Sequence, residues 1–248
     1  MSPLAQLRYL HRVWKARRRG ERPEMEALLR IVRPGDTVLD IGANKGSYLY
    51  WLRRATGPSG RVVAFEPQPI LAAYLRDVVL ARHWSNVVIE GKGLSERAGT
   101  LLLGVPAGGD GTSPGASFEA SIAGNPGSHS VPVEVETLDG LFAGGPRVAF
   151  IKCDVEGHEL SVFRGGERLL RESGPTLLFE CEARHLGGRE MREVFAWLED
   201  RGYAGEFFGP AGLRPIREFS PDIHQRAVGP RFWDAPGYCN NFLFQRTQ

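Results

Sequence analysis

Four acidic side chains stand where an apolar run gives way to polar residues: Asp40 in "TVLDIG", Glu66 in "VVAFEP", Asp154 in "FIKCDVEG" and Glu180 in "LLFECE". A carboxylate so placed can bind a cation, accept hydrogen bonds from a vicinal diol, or take a proton from a reacting hydroxyl. The stretch "IKCDVEGHEL" (151–160) is the densest, with Asp154, Glu156, His158 and Glu159 close together. An acid at a helix start satisfies free backbone N–H groups, which reads Glu156 as a cap. Asp154, at the strand end itself, is then expected to point into a cleft. "LLFECEARH" (177–185) adds Glu182 and His185, which read as rim residues. Asp154 is the first expected catalytic base and His158 the second. Glu180, at the end of an adjacent strand, is positioned to share a proton with Asp154, or to hold Mg2+ with it against a diol. No third ligand is fixed, so no residue is assigned to a metal.

The turn "IGANKGS" narrows the choice of ligand. Gly42, Ala43, Asn44 and Gly46 let backbone approach a bound molecule closely. A dinucleotide fingerprint places glycines where Asn44 and Ser47 stand, and a Walker loop needs a longer gap before its Gly-Lys pair. Both pyrophosphate readings are therefore weak. Glu66, ending the second strand, suits the two hydroxyls of a ribose, which nicotinamide and S-adenosyl ligands share. Asp40 separates them, since a buried acid repels a pyrophosphate and attracts an ammonium or sulfonium. S-adenosylmethionine carries both cations and no phosphate.

These residues need a scaffold that brings strand ends together. Apolar runs at 37–41, 61–66, 86–91, 147–153, 175–181, 203–208 and a closing "YCNNFLFQ" alternate with helix-patterned segments at 46–55, 68–82, 157–173 and 189–202. That alternation predicts an α/β fold with a doubly wound, mostly parallel sheet, whose ligand lies beyond the carboxyl ends of the strands. Further strands are expected at 100–105 and 131–138. They flank a segment, 104–130, with seven glycines and three prolines, expected as a flexible loop. Within it "SFEASI" (117–122) suits one helical turn folding over a ligand.

The chain has 248 residues, 42% hydrophobic and 24% charged, as for one large globular domain. No apolar run is long enough to cross a membrane, and no secretory h-region opens the chain, so a cytoplasmic protein is expected. Cys153, Cys181 and Cys239 read as free buried thiols. The net charge of +2 is unevenly spread. Residues 1–33 read as a basic helical arm ahead of a domain over 34–248. Arg8, Arg12, Lys15, Arg17, Arg18 and Arg19 lie beside Leu4, Leu7, Leu10 and Trp14 at helical spacing. This amphipathic helix is expected to pack on the domain edge, with peripheral membrane contact as the alternative.

"VLDIGANKGSY", "VVAFEPQP", "GLSERAG", "FIKCDVEGHELSVFRGG" and a closing "NFLF", in this order, resemble the FkbM family of S-adenosylmethionine-dependent methyltransferases over residues 34–246. The resemblance implies a class I, Rossmann-like fold of seven strands, the last antiparallel. It also implies O-methylation of a hydroxyl on a sugar or secondary metabolite, with S-adenosylmethionine as cofactor. Carried over, Asp40, Gly42, Ala43, Asn44 and Gly46 would line the methionine end, and Glu66 with Pro67 the ribose. Gly93, Leu94 and Ser95 would flank adenine, and Asp154 would sit near the methyl group. The implied partner is a small molecule or glycan and not a nucleic acid. A Mg2+-assisted transfer and a nicotinamide-dependent oxidoreductase on the same sheet are the alternatives.

Overall fold

The computed structural model describes residues 1–20, 22–107, 111–119, 127–142 and 144–247. Every residue of strand β1 (Thr37–Ile41) is buried, as an unbroken apolar run requires when helices cover both faces. Strands β2 (Arg61–Phe65) and β3 (Val87–Glu90) extend the sheet in parallel on one side of β1. On the other side β7 (Val148–Cys153) and β8 (Thr176–Glu180) are also parallel. The terminal strand β11 (Asn241–Arg246) runs antiparallel between β8 and β9 (Tyr203–Gly209). The sheet has eight strands, not seven, because Gly212–Pro215 (β10) folds back on β9 as an antiparallel edge. Its glycine and proline read as a turn in sequence, and an edge strand is where a sheet tolerates proline. The full order is β10-β9-β11-β8-β7-β1-β2-β3.

Side chains along each strand alternate between two cores. Leu39 and Ile41 enter a core rich in phenylalanine, with Phe163, Phe179, Phe195 and Phe242, while Val38 enters the opposite one. Helices α1 (Pro3–Lys15), α2 (Arg22–Ile31), α3 (Ser47–Thr56) and α4 (Pro69–Ala81) cover the second core. Helices α5 (Leu138–Phe142), α6 (Glu159–Arg164), α7 (Glu167–Ser173) and α8 (Met191–Glu199) cover the first. The helix expected over 157–173 is split into α6 and α7 at Gly165 and Gly166. There a Cβ on Gly165 would collide with the carbonyl oxygen of Ser95.

Helix α1 forms where its periodicity predicts, but with the other face inward. Tyr9 and Val13 are fully buried, whereas Leu4 and Leu7 are exposed. The buried residues have polar reasons to turn in. Tyr9 donates its hydroxyl hydrogen to the Gly46 carbonyl at 3.1 Å, and Trp51 donates its indole N–H to the Val13 carbonyl at 3.3 Å. A buried aromatic with a satisfied polar tip outcompetes a plain leucine for that face. Helix α1 is thereby tied to the turn after β1, and Arg12 donates to the Lys45 carbonyl of the same turn at 3.2 Å.

A second sheet, β4-β6-β5, is built from Gly93–Leu94 (β4), Gly99–Pro106 (β5) and Ser128–Glu136 (β6). β5 and β6 form a long antiparallel hairpin, paired from Gly99 with Val135 to Pro106 with Ser128. In the hairpin's connecting segment Ser117 makes an isolated antiparallel bridge with Gly104 instead of the expected helical turn. Residues 120–122 of that expected turn lie outside the described residues.

Replacing Tyr9 with Phe removes the buried donor to Gly46, and urea unfolding is expected to show a loss of about 1–2 kcal/mol. An unchanged unfolding midpoint would mean that packing alone holds α1 on the turn.

Candidate active site

The turn after β1 is held in a shape that ordinary residues resist. Gly42, Asn44 and Gly46 have φ of 76°, 47° and 77°, in the left-handed region that glycine and, among other residues, asparagine accept most readily. The amides of Gly42 and Ala43 both donate to the Phe65 carbonyl at 3.0 Å. Glu66 follows Phe65. Its Oε2 accepts from the Asn44 amide at 2.7 Å and its Oε1 from the Gln68 amide at 2.9 Å. The end of β7 meets the turn as closely, for a Cβ on Gly42 would collide with the carbonyl oxygen of Asp154. The termini of β1, β2 and β7 therefore converge within bonding distance.

The corner "DVEG" is built around a different acid from the one expected. Glu159, buried at the start of α6, accepts from the amides of Val155 at 3.2 Å and Gly157 at 3.1 Å. These bonds hold the backbone of the corner that leads into α6; the N-cap position is His158, not Glu156, and makes no side-chain cap bond. Glu156 takes a positive φ of 53° and turns its Oε2 to His185 Nδ1 at 2.7 Å. Its carbonyl accepts from the Ser117 hydroxyl at 2.7 Å, which ties the β5–β6 hairpin to this corner. His158 is a strut between elements, contrary to the expectation of a base. Its Nδ1 is 2.9 Å from Glu119 Oε1 and its Nε2 is 3.0 Å from Ser95 Oγ, so both ring nitrogens are engaged away from the cleft. Arg189 reaches the other oxygen of Glu119 at 2.7 Å.

Asp154 lines the cleft with Gly42, Asn44, Glu66, Pro67 and Gln68 on the sheet side. Leu103, Pro114, Ala116 and Phe118 close it from the second sheet and its connecting segment. Gln68 fixes that segment with two bonds to the Ser113 backbone, at 2.9 and 3.0 Å. Beside Asp154 lies Lys152, buried on β7, its Nζ 3.4 Å from Asp154 Oδ2 and 4.8 Å from the Tyr48 ring centroid. The lysine went unremarked in sequence although its signal is there, since residues two apart on a strand share a face.

This cleft combines a glycine turn free of Cβ atoms, a buried acid at the second strand end and an acid at the fourth. A family model, the methyltransferase FkbM domain, matches residues 40–204 and spans all three features. The chain belongs to the FkbM methyltransferase family. A hexuronic acid methyltransferase, AglP, of Haloferax volcanii is 30% identical over 162 residues, covering 62% of this chain and 59% of that protein. An FkbM methyltransferase structure from Methylobacillus flagellatus shares the fold at 18% identity and a TM-score of 0.53, covering 98% of this chain and 56% of that one. The chain thus spans less than two thirds of either relative's length. A ribosomal RNA large subunit methyltransferase E from Sorangium cellulosum is 37% identical over 51 residues, 21% of this chain and 24% of that protein. The expectation that nucleic acid has no part finds no support in these likenesses. Membership does set aside the nicotinamide oxidoreductase.

The fold places several expected cofactor residues behind the cleft and not on it. Asp40 is buried under the turn, opposite Lys152 in the strand register. Ala43 is buried in the core beneath, and Gly46 packs against Tyr9 and Leu75. Gly93, Leu94 and Ser95 form β4 and its exit; the Phe118 ring lies over Gly93, Leu94 is buried and Ser95 is bonded to His158. Their place on the cleft wall is taken by Phe118 and its neighbours, which the sequence could not assign while the hairpin's path was unknown. No helix among the described residues is long and apolar enough to cross a membrane.

A network of acids backs Asp154. Burial pushes the Glu180 carboxyl well above its ordinary range, and the nearby acids Asp154 and Glu156 add to the shift. Burial would raise Glu182 too, but bonds from Arg184, Glu180 and Tyr238 hold it down at about 2. Glu182 is therefore no rim residue. Arg184 grips it at 2.6 and 2.9 Å and Tyr238 donates to it at 2.6 Å. The Arg184 guanidinium in turn lies 4.8 Å from the ring centroid of Trp233, which is exposed. His185 is raised despite its burial, because Glu156 stabilises the charged ring. Phe207 and Phe208 are core.

Burial also raises Glu66 and Glu159 to about 7 from an ordinary 4.5. Between those values the folded chain holds protons that the unfolded chain has released, so stability falls as pH rises through the window and levels off above it. Each group contributes about 3 kcal/mol to that fall. Denaturant titrations of the cofactor-free protein are expected to give greater stability at pH 5 than at pH 7.5, with a shallower slope in Glu159→Gln. Stability that rises across this interval would contradict the assignment.

Proposed function

We propose that this methyltransferase transfers a methyl group from S-adenosylmethionine to a hydroxyl of a sugar or secondary metabolite. The observation that carries the reading is Glu66, a buried carboxylate at the end of β2 whose oxygens each accept one backbone amide and retain lone pairs for a diol. The family's cofactor brings such a diol, and the residues present suit it. Glu66 takes the ribose hydroxyls. Gly42 and Asn44 line the methionine end, and buried Asp40 supplies negative potential beneath it. Pro67, Gln68, Leu103 and Phe118 enclose the base. The hexuronic acid specificity of the Haloferax volcanii relative supports a carbohydrate acceptor, and Trp233 beside Arg184 offers an aromatic face on which a sugar ring can lie.

When bound, S-adenosylmethionine supplies a methyl group already activated by its sulfonium. The protein has to hold the acceptor oxygen in line with that methyl in a dry cleft, and to receive a proton as the new C–O bond forms and the C–S bond breaks. Asp154 is the group placed to receive it, with Lys152 orienting its carboxylate. Glu180, whose carboxyl burial raises, backs this corner from the end of β8. His158 keeps the hairpin against α6.

Glu66→Ala is expected to abolish binding of S-adenosylhomocysteine in calorimetry. In the native protein affinity should weaken about tenfold per pH unit below about pH 7, with protons released on binding near neutrality, because the diol is held by the ionised form of Glu66. Glu66→Gln should remove both effects. Asp154→Ala should retain cofactor binding and lose about 10²–10⁴-fold in turnover. Label from S-adenosylmethionine entering ribosomal RNA and no glycan or metabolite fraction of a cell extract would overturn the acceptor assignment.

A further inference from the structure

We propose that the outer face of helix α1 is a docking surface for an anionic lipid bilayer. The inner face is occupied: Tyr9 and Val13 are buried, and Arg12 is committed to the Lys45 carbonyl. Leu4, Leu7, Arg8, His11, Trp14, Lys15 and Arg18 are exposed, each three or four residues from the next along the face, so they run as one stripe along the helix. Leu4 and Leu7 are 57% and 64% exposed, and Trp14 is 37% exposed. Contiguous apolar residues left in water with a basic border mark an interaction surface. No acidic residue occurs in α1. In the π-helical turn Ala16–Gly20 that continues it, Arg17 turns inward over Trp51 at 4.4 Å, whereas Arg18 lies over Trp14 at 5.1 Å, on the outer side.

The combination favours lipid over RNA. Phosphate contacts alone need cations and gain nothing from two projecting leucines. A bilayer interface takes every member of the stripe: leucines enter the acyl boundary, tryptophan sits at headgroup level and cations meet lipid phosphates. Charge complementarity orients the encounter as well. Residues 23–248 carry 24 bases against 28 acids, so an anionic surface repels the body and attracts this face. Because Tyr9 and Arg12 bind the turn at Gly46 and Lys45, a docked helix holds the cleft at a fixed attitude to the membrane. This inference does not depend on the identity of the methyl acceptor.

Flotation of the full chain with vesicles of phosphatidylcholine containing roughly one-third phosphatidylglycerol tests it. Binding is expected to be at least about tenfold weaker on pure phosphatidylcholine and to weaken with salt. Each basic group near an anionic surface contributes about fivefold, so the triple variant R8Q/K15Q/R18Q should lose roughly a hundredfold. The double variant L4S/L7S should lose at least about tenfold, with melting temperature and S-adenosylhomocysteine affinity unchanged. Absence of vesicle binding, or equal binding by L4S/L7S, overturns the proposal. So does preferential capture of structured RNA that L4S/L7S leaves intact, which would make this face a nucleic-acid surface.

Discussion

The contact between the Gly42 α-carbon and the Asp154 carbonyl sets the geometry of everything around it. It locks the exit of β1 to the exit of β7, so the cofactor turn and the catalytic corner are one unit and not two loops. No side chain fits between them, and the left-handed φ of Gly42 would strain any other residue. From this contact the turn runs back to Glu66 through the Asn44 amide, and the corner runs forward to Glu159 through the Val155 and Gly157 amides. The positions of both acids follow from backbone hydrogen bonds, which are far stiffer than surface ion pairs.

The site concentrates acids and manages their repulsion in three ways. Lys152 faces Asp154, Arg184 grips Glu182, and Glu156 finds His185. Burial raises the cost of each charge, and Glu180, buried close to other acids, has its carboxyl pushed well above the ordinary range.

The hairpin of the second sheet couples to this arrangement through polar contacts that are local in space and distant in sequence. Ser117 bonds the Glu156 carbonyl, Glu119 bonds His158, and Ser113 pairs with Gln68. Together they bring Phe118 over Gly93, where sequence reasoning placed the base of the cofactor. The opposite side of the fold behaves likewise: α1 reaches the same turn through Tyr9, so the turn is clamped from the N-terminal helix and from the sheet.

Strand–helix alternation, the antiparallel last strand and the strand-end positions of Asp40, Glu66, Asp154 and Glu180 were legible in the chain. The alternation and the strand-end acids rest on local periodicity and on the switch from apolar to polar residues, which any single segment displays; the antiparallel last strand came from the family resemblance. Tertiary structure decided which face of α1 turns inward and that His158 braces a hairpin. Those outcomes depend on partners more than thirty residues away, such as Gly46 for Tyr9 and Glu119 for His158. A sequence window carries no record of what the folded chain sets against it.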